Sequence, residues 1–306
     1  MTYRATWRAA RAAPLPTRLE APLPRSRYDP EDATESFAKR KDRRRPHGRV
    51  RASSLFEGTA SVPGMAWLRK QGIVTGVDAE LRSGKEATIY VGRGPAGTLA
   101  LKVYRDRSVR SFKADGRYEA GRFEDGGATR AIAAAGARGR RAQTARWALH
   151  EYRTLWRLHR AGVPVPEPLV GPGTRLLARS GDVVVMRYLG DDDGPAPRLA
   201  DAALSGADAE WAFARSVEHL ATLWRLGVVH GDYSTYNLLW WQGEVVVIDV
   251  PQAIPRHHAE AKTLLRRDAT NLCDTFAALG VEADADTVFS EVEAAAPAPP
   301  DEASAG

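Results

Sequence analysis

The chain has 306 residues, 43% of them hydrophobic and 27% charged, with 44 Lys+Arg against 38 Asp+Glu. This composition excludes wholesale disorder, and the length suits one large domain or two lobes with tails. A single cysteine, Cys273, excludes an internal disulfide or a Cys-pair metal or redox site, and no apolar run approaches the ~20 residues that span a bilayer.

Residues 1–60 hold 14 Lys+Arg and 7 Asp+Glu, so the basic excess belongs to this Pro-, Arg- and Ala-rich tail. Such a segment buries too little apolar surface to offset its ordering entropy, and it is expected to be disordered. It lacks the apolar core of a secretory signal, so a soluble cytoplasmic protein without membrane contact is expected. Two roles stay open for the tail: salt-sensitive contact with RNA or a ribonucleoprotein, or a solubilising arm.

Strand-length apolar stretches follow at Gly76–Leu81, Ala87–Gly92 and Thr98–Tyr104, separated by Gly-containing turns. From Arg105 to Arg160 there are 14 Lys+Arg and 6 Asp+Glu, with an aperiodic Gly/Ala/Arg segment at Gly126–Arg141 that reads as a surface loop. Thr144–Ala161 has helical spacing and stops at Gly162 and Pro164. Arg175–Ala178 and Asp182–Tyr188 read as a hairpin turning at Ser180-Gly181, and Ala207–Leu226 as a helix stopped by Gly227. Leu238–Trp241 and Glu244–Asp249 form a second hairpin around Gln242-Gly243, and Ala259–Leu279 a closing helix. Trp147, Trp156, Trp211 and Trp224 fall at apolar helical positions and are expected in the core. The run from Ala294 to Gly306 is low-complexity and expected to fray.

The strongest chemical signal is His230-Gly231-Asp232-Tyr233-Ser234-Thr235-Tyr236-Asn237, with Ile248-Asp249 downstream. A loop between a helix and a hairpin can project these side chains into one cleft. Phosphoryl transfer needs one Asp to take the hydroxyl proton, and an Asn and a second Asp to hold Mg²⁺ against phosphates. The bland alternative is a polar loop making its own turn hydrogen bonds. Ser83-Gly84-Lys85-Glu86-Ala87 lies between two strands and reads either as a phosphate-facing turn or as a plain hairpin tip. Lys102, inside the apolar strand Leu99–Tyr104, is costly to bury unpaired; Glu151 is its candidate partner, with Glu119 and Glu124 as alternatives, and a solvent-facing lysine is the other option. Val183 to Gly190, including Met186 and Leu189, is either an interlobe connector that meets adenine or a core strand.

Together these segments resemble the RIO-type atypical serine/threonine protein kinases without the winged-helix N-terminal domain, for which there is no room before Ser61. The resemblance runs from about Gly76 to Leu279. It rests on Ser83–Ala87, Lys102, Phe112–Phe123, Ala161-Gly162-Val163-Pro164-Val165-Pro166, Met186–Gly190, His230–Asn237 and Ile248-Asp249-Val250-Pro251-Gln252. It implies an α+β, two-lobed protein-kinase-like fold: a small, mainly antiparallel β N-lobe at about 73–188 and a reduced helical C-lobe at about 191–287. The domain would run from 61 to 287, with a disordered tail at 288–306. It further implies Asp232 as catalytic base with Lys102, and Asn237 and Asp249 as Mg²⁺ ligands, Mn²⁺ being an alternative ion. Ser83, Gly84, Lys85, Lys102, Glu151, Met186 and Leu189 would form the ATP site. The acceptor would be a protein, including the chain itself. The chain departs from the family pattern at Tyr233, Thr235 and Pro251, and in reading Arg82-Ser83-Gly84 at the phosphate turn. Two competing readings are a small-molecule phosphotransferase of aminoglycoside/choline-kinase type, which also fits His230-Gly231-Asp232, and an ATPase switch that binds an RNA-containing assembly.

Overall fold

The structure is a computed structural model that describes residue 59 and residues 62–105 and 137–295. Most of the basic tail, the Phe112–Phe123 segment, Glu119 and Glu124, and the run after residue 295 lie outside the described residues.

Helix α1, Pro63–Lys70, opens the described region with Pro in its first turn, where a fixed φ and a missing N–H cost nothing. Its Met65 and Leu68 are fully buried. At Gly64 a Cβ would lie 1.8 Å from the Ser180 carbonyl oxygen, so only glycine lets the helix dock on that turn.

Strands β1 (Gly76–Ser83), β2 (Ala87–Gly94), β3 (Gly97–Tyr104) and β4 (Val183–Arg187) form an antiparallel sheet in chain order. In the central strand β3 both faces are covered: Leu99, Leu101 and Val103 are buried on one, Lys102 and Tyr104 on the other. Register sets Lys102 opposite Ile89 and Val184, and Ala100 opposite Met186. Helix α2, Ala137–Arg160, lays Trp147, Ala148, Tyr152, Leu155 and Leu158 against this sheet.

The expected hairpin at Arg175–Ala178 is corrected: Thr174–Arg179 is a short helix, α3. A four-residue apolar run cannot separate strand from helix. Here β4 pairs with β3, and Leu177 reaches the core from a helical turn.

Past β4 the chain makes a small hairpin of β5 (Gly190–Asp191) and β6 (Gly194–Pro195) and enters the helical C-lobe. Helix α4, Gly206–Arg225, starts at Ser205, whose hydroxyl accepts from the Asp208 N–H at 3.1 Å. Then come β7 (Val228–Val229), a single 3-10 turn at Thr235–Asn237, and the hairpin of β8 (Leu238–Trp241) and β9 (Glu244–Val247). Its turn residues Gln242 and Gly243 have φ of 52° and 77°, the left-handed pair that matches the twist of hairpin strands. β10 (Ile254–Pro255) returns to pair with β7, followed by α5, Ala261–Ala277.

A last helix, α6 at Ala285–Ala294, corrects the expected tail from residue 288: Val288, Phe289 and Val292 are buried, and α6 packs on α4 and α5. Trp211 is corrected too. It is 42% exposed, its indole N–H reaching the Gly243 carbonyl at 3.4 Å, whereas Trp147 and Trp224 are buried and Trp156 is half-buried.

Candidate active site

The N-lobe wall of the cleft is built from β3 and α2. Lys102 Nζ donates to Glu151 Oε1 at 2.7 Å and to Asp249 Oδ1 at 2.7 Å. The Tyr104 hydroxyl donates to the other Glu151 oxygen, Oε2. Lys102, Glu151 and Tyr104 are 8%, 1% and 6% exposed, so the network is dry. Burial works against the Lys102 ammonium, but Glu151, Tyr104 and Asp249 outweigh it and hold its pKa well above the ordinary value. For Glu151 burial wins and pushes its carboxyl up against the pull of Lys102. A lysine ammonium has three donors, so one remains after the two carboxylates are served.

The C-lobe wall is the loop between β7 and β8. Asp232 is exposed, and its backbone is fixed from beneath. Asp268 on α5, fully buried, accepts from the Gly231 N–H at 2.8 Å and the Tyr233 N–H at 3.0 Å. Burial raises the Asp268 carboxyl, opposed by His230 and by those two N–H groups. The Asp232 N–H donates to His230 Nδ1 at 3.3 Å, which leaves Nε2 to donate to the Ile248 carbonyl at 3.2 Å. The Tyr233 side chain turns into the core and donates to the Ser216 carbonyl at 2.9 Å. Gly231 has a φ of 80°, and a Cβ there would sit 3.0 Å from the Gln252 carbonyl oxygen.

Asn237 donates through Nδ2 to the Asp232 carbonyl and to Asp232 Oδ2, both at 2.8 Å. The Ile248 N–H donates to the Asn237 carbonyl at 3.0 Å, which brings Asp249 beside Asn237. Asp249 lies just past β9 with a φ of 62°. Desolvation favours its neutral form, but Lys102, then His230 and Arg198, hold its carboxyl below the usual range. Among the described residues, no group of three His, Cys, Asp or Glu side chains gathers as a metal cage. The donor set nonetheless fits a hard cation that keeps waters and phosphate oxygens. The Asn237 amide nitrogen is engaged and so its carbonyl oxygen is presented, and one Asp249 oxygen remains after Lys102 takes the other.

Ser83 ends β1, and Gly84 and Lys85 follow in the turn to β2, all three exposed. The Gly84 N–H is spent on the Ala87 carbonyl at 2.9 Å, so it does not face outward as a donor. The Ser83 hydroxyl accepts from Arg105, whose guanidinium also donates to Thr88 Oγ1 at 2.7 and 3.0 Å. Met186, within β4 and opposite Ala100, and Leu189, just past that strand, are half-buried. The structure thus joins Lys102, Glu151 and Asp249 in one side-chain network and Asn237 and Asp232 in another, the two linked by the Ile248 N–H bond to the Asn237 carbonyl, while Ser83, Gly84 and Lys85 take part in neither. Sequence reasoning missed Tyr104, Arg105 and Asp268. Tyr104 had a signal, since it shares the inward face of β3 with Lys102; Asp268 had none, because its partners lie 35 and 37 residues away.

The family model of the RIO domain matches residues 88–288. Serine/threonine-protein kinase RIO1 of Caenorhabditis elegans is 36% identical over 216 residues, 70% of this chain and 40% of that protein. RIO-type serine/threonine-protein kinase Rio1 of Haloferax volcanii is 31% identical over 278 residues, 86% of this chain and 87% of that one. The chain therefore spans less than half the length of the nematode relative and most of the archaeal one. Among solved structures, the Rio2 kinase–ADP/Mg²⁺–phosphoaspartate complex of Chaetomium thermophilum is similar in fold, with a TM-score of 0.55 at 18% identity, over 78% of this chain and 66% of that one.

Proposed function

From the premise that this chain belongs to the RIO-type kinase family, we propose that it is a Mg²⁺- and ATP-dependent serine/threonine protein kinase that also phosphorylates itself. The observation that carries this reading is the single network from Glu151 through Lys102 to Asp249, with Asn237 and Asp232 alongside. A dry lysine with one donor left, next to two oxygen donors and an exposed carboxylate, suits positioning and charge neutralisation, which is what phosphoryl transfer requires.

In this reading the nucleotide lies between the lobes, with adenine near Met186 and Leu189 and the phosphates toward Lys102 and the Ser83-Gly84-Lys85 turn. Glu151 and Tyr104 fix the direction of the Lys102 ammonium. Asp232 accepts the proton of the incoming Ser or Thr hydroxyl as that oxygen attacks. Asn237 and Asp249 would hold Mg²⁺, which when bound offsets phosphate charge; Mn²⁺ suits the same oxygen donors. The domain is taken to begin before β1, at α1, and to end with α6. Among the described residues no helix is long and apolar enough to cross a membrane. The tail of residues 1–60 is proposed to contact RNA or a ribonucleoprotein through its arginines, and a cytoplasmic location is part of the same reading.

The test uses γ-labelled ATP with the wild type and Asp232→Asn. The wild type should label itself and a generic protein acceptor. Asp232→Asn, which keeps the hydrogen bond from Asn237, should transfer about 10³-fold less or worse, with an unchanged melting temperature. Label appearing on amino-sugars and not on protein would replace the protein-kinase reading with a small-molecule one. Release of free phosphate without protein label would replace it with an ATPase switch.

A further inference from the structure

The cleft holds an arginine, Arg198, that no carboxylate among the described residues pairs directly. Arg198 lies in an extended segment stitched to β8, directly after Asn237. The Leu199 N–H donates to the Leu238 carbonyl at 2.9 Å, the Trp240 N–H to the Pro197 carbonyl at 2.9 Å, and Ala200 N–H to the Thr235 carbonyl at 3.2 Å. Arg198 itself pairs with Leu239 in an antiparallel bridge. Leu199, in the turn that follows, is fully buried, whereas the half-buried Arg198 side chain has Asp249 of the cleft among its charged neighbours.

The Arg198 guanidinium is half-buried, and among the described residues it makes no hydrogen bond or ion pair. It sits in the fields of Asp249, Asp201 and Tyr236 on its own side, and of Arg82 on the other. Arg82 belongs to β1, next to the Ser83-Gly84-Lys85 turn, so the neighbouring like charge comes from the other lobe. Desolvation and the Arg82 charge both disfavour the Arg198 cation, which is the cost a bound anion would remove. A guanidinium is a rigid fork of N–H donors matched to phosphate oxygens, and it stays charged in proteins.

We propose that Arg198 is a phosphate-contacting catalytic residue, gripping the terminal phosphate of the bound nucleoside triphosphate from the floor of the cleft while Arg82 faces it from the roof. This rests on the kinase reading and adds a group to it. As the bond from the γ-phosphorus to the bridging oxygen breaks, its electron pair stays on ADP. The new bond forms to the acceptor hydroxyl oxygen, whose proton passes to Asp232. Arg198 then neutralises the phosphoryl oxygens throughout, and Arg82 holds the chain of phosphates before transfer.

The experiment compares the full-length wild type with Arg198→Gln and Arg198→Lys. Calorimetric binding of tripolyphosphate, ATP and adenosine, each with Mg²⁺, is read beside transfer rates and melting temperature. Arg198→Gln should bind tripolyphosphate and ATP roughly tenfold or more weakly and transfer roughly 10²-fold more slowly, with adenosine affinity and melting temperature unchanged. Arg198→Lys should recover much of the binding and little of the rate, because it restores the charge without the fork. Unchanged tripolyphosphate binding in Arg198→Gln would overturn the proposal, as would a parallel loss of adenosine affinity and melting temperature. A wild type that binds tripolyphosphate through Arg198 but transfers no phosphate would overturn the kinase reading and leave the clamp standing.

Discussion

On the N-lobe side of the cleft, Lys102, Glu151 and Tyr104 are buried together and hold one another by side-chain bonds. On the C-lobe side Asp232 stays exposed, and the fixing is done one layer down, where buried Asp268 grips the backbone N–H groups on either side of it. One wall orients its charge by drying it and pairing it; the other orients a wet charge by freezing the peptide that carries it. Damage should therefore look different on the two walls. N-lobe substitutions should cost stability and activity together, whereas a substitution at the exposed Asp232 should cost activity alone.

The largest expected effect tests that claim on the N-lobe side. Lys102→Met leaves Glu151 buried with its main countercharge gone, and breaking such a pair costs about 3–5 kcal/mol. Urea denaturation should show that loss alongside the disappearance of phosphoryl transfer. A variant as stable as the wild type would mean that Glu151 is rescued by protonation, toward which its raised pKa already leans. On the C-lobe side, Asp268→Asn keeps one acceptor and loses the charge that serves the second N–H. Hydrogen bonds to charged groups are worth about 1.5–3 kcal/mol, so a loss of about 2 kcal/mol is expected. The KM for ATP should hold while kcat falls, since the loop it supports carries Asp232 and not the nucleotide; a raised KM with unchanged kcat would erase the contrast between the walls.

The comparison can be sharpened further at His219 on α4, which is dried like the N-lobe network yet unpaired. Both its ring nitrogens lack a hydrogen-bond partner, and burial, helped by Arg215, lowers its pKa to about 4. The unfolded chain binds a proton at this residue near its ordinary pKa of about 6.5, so acidification favours unfolding between the two values. The stabilisation is fully present above about pH 6.5 and is lost as pH falls toward 4, amounting to about 2 kcal/mol between pH 7.5 and 5. Denaturation of wild type and His219→Leu at these two pH values should show the slope in the first and a flatter line in the second.

The loop from His230 to Asn237 was legible because its chemistry is local in sequence. So were the first three strands, since turns at Gly84 and Gly97 punctuate apolar runs. What stayed hidden depends on distant chain. Asp268 looks like any polar residue of an amphipathic helix until the loop folds back on it. Arg198 gains its meaning only when the fold stitches its segment to β8. In sequence, helix α6 reads as tail because Ala, Glu and Pro dominate residues 285–300, although Val288, Phe289 and Val292 mark one helical face. Thr174–Arg179 went wrong for the opposite reason: its residues suit either state, and the choice was made by β4 finding β3.

The left-handed backbone at Asp249 narrows what this position can ever become. A φ of 62° is comfortable for glycine and tolerable for Asn and Asp, whose short side chains bond locally; longer or branched residues are strained there. The network asks for a carboxylate, the peptide asks for a short polar side chain or none, and one amino acid meets both demands. Glu would be strained by conformation in addition to reaching too far. In a lineage released from the need to transfer phosphate, the easiest replacement is Asn, which keeps the shape and silences the charge, so a descendant could be read as active or retired from this one residue.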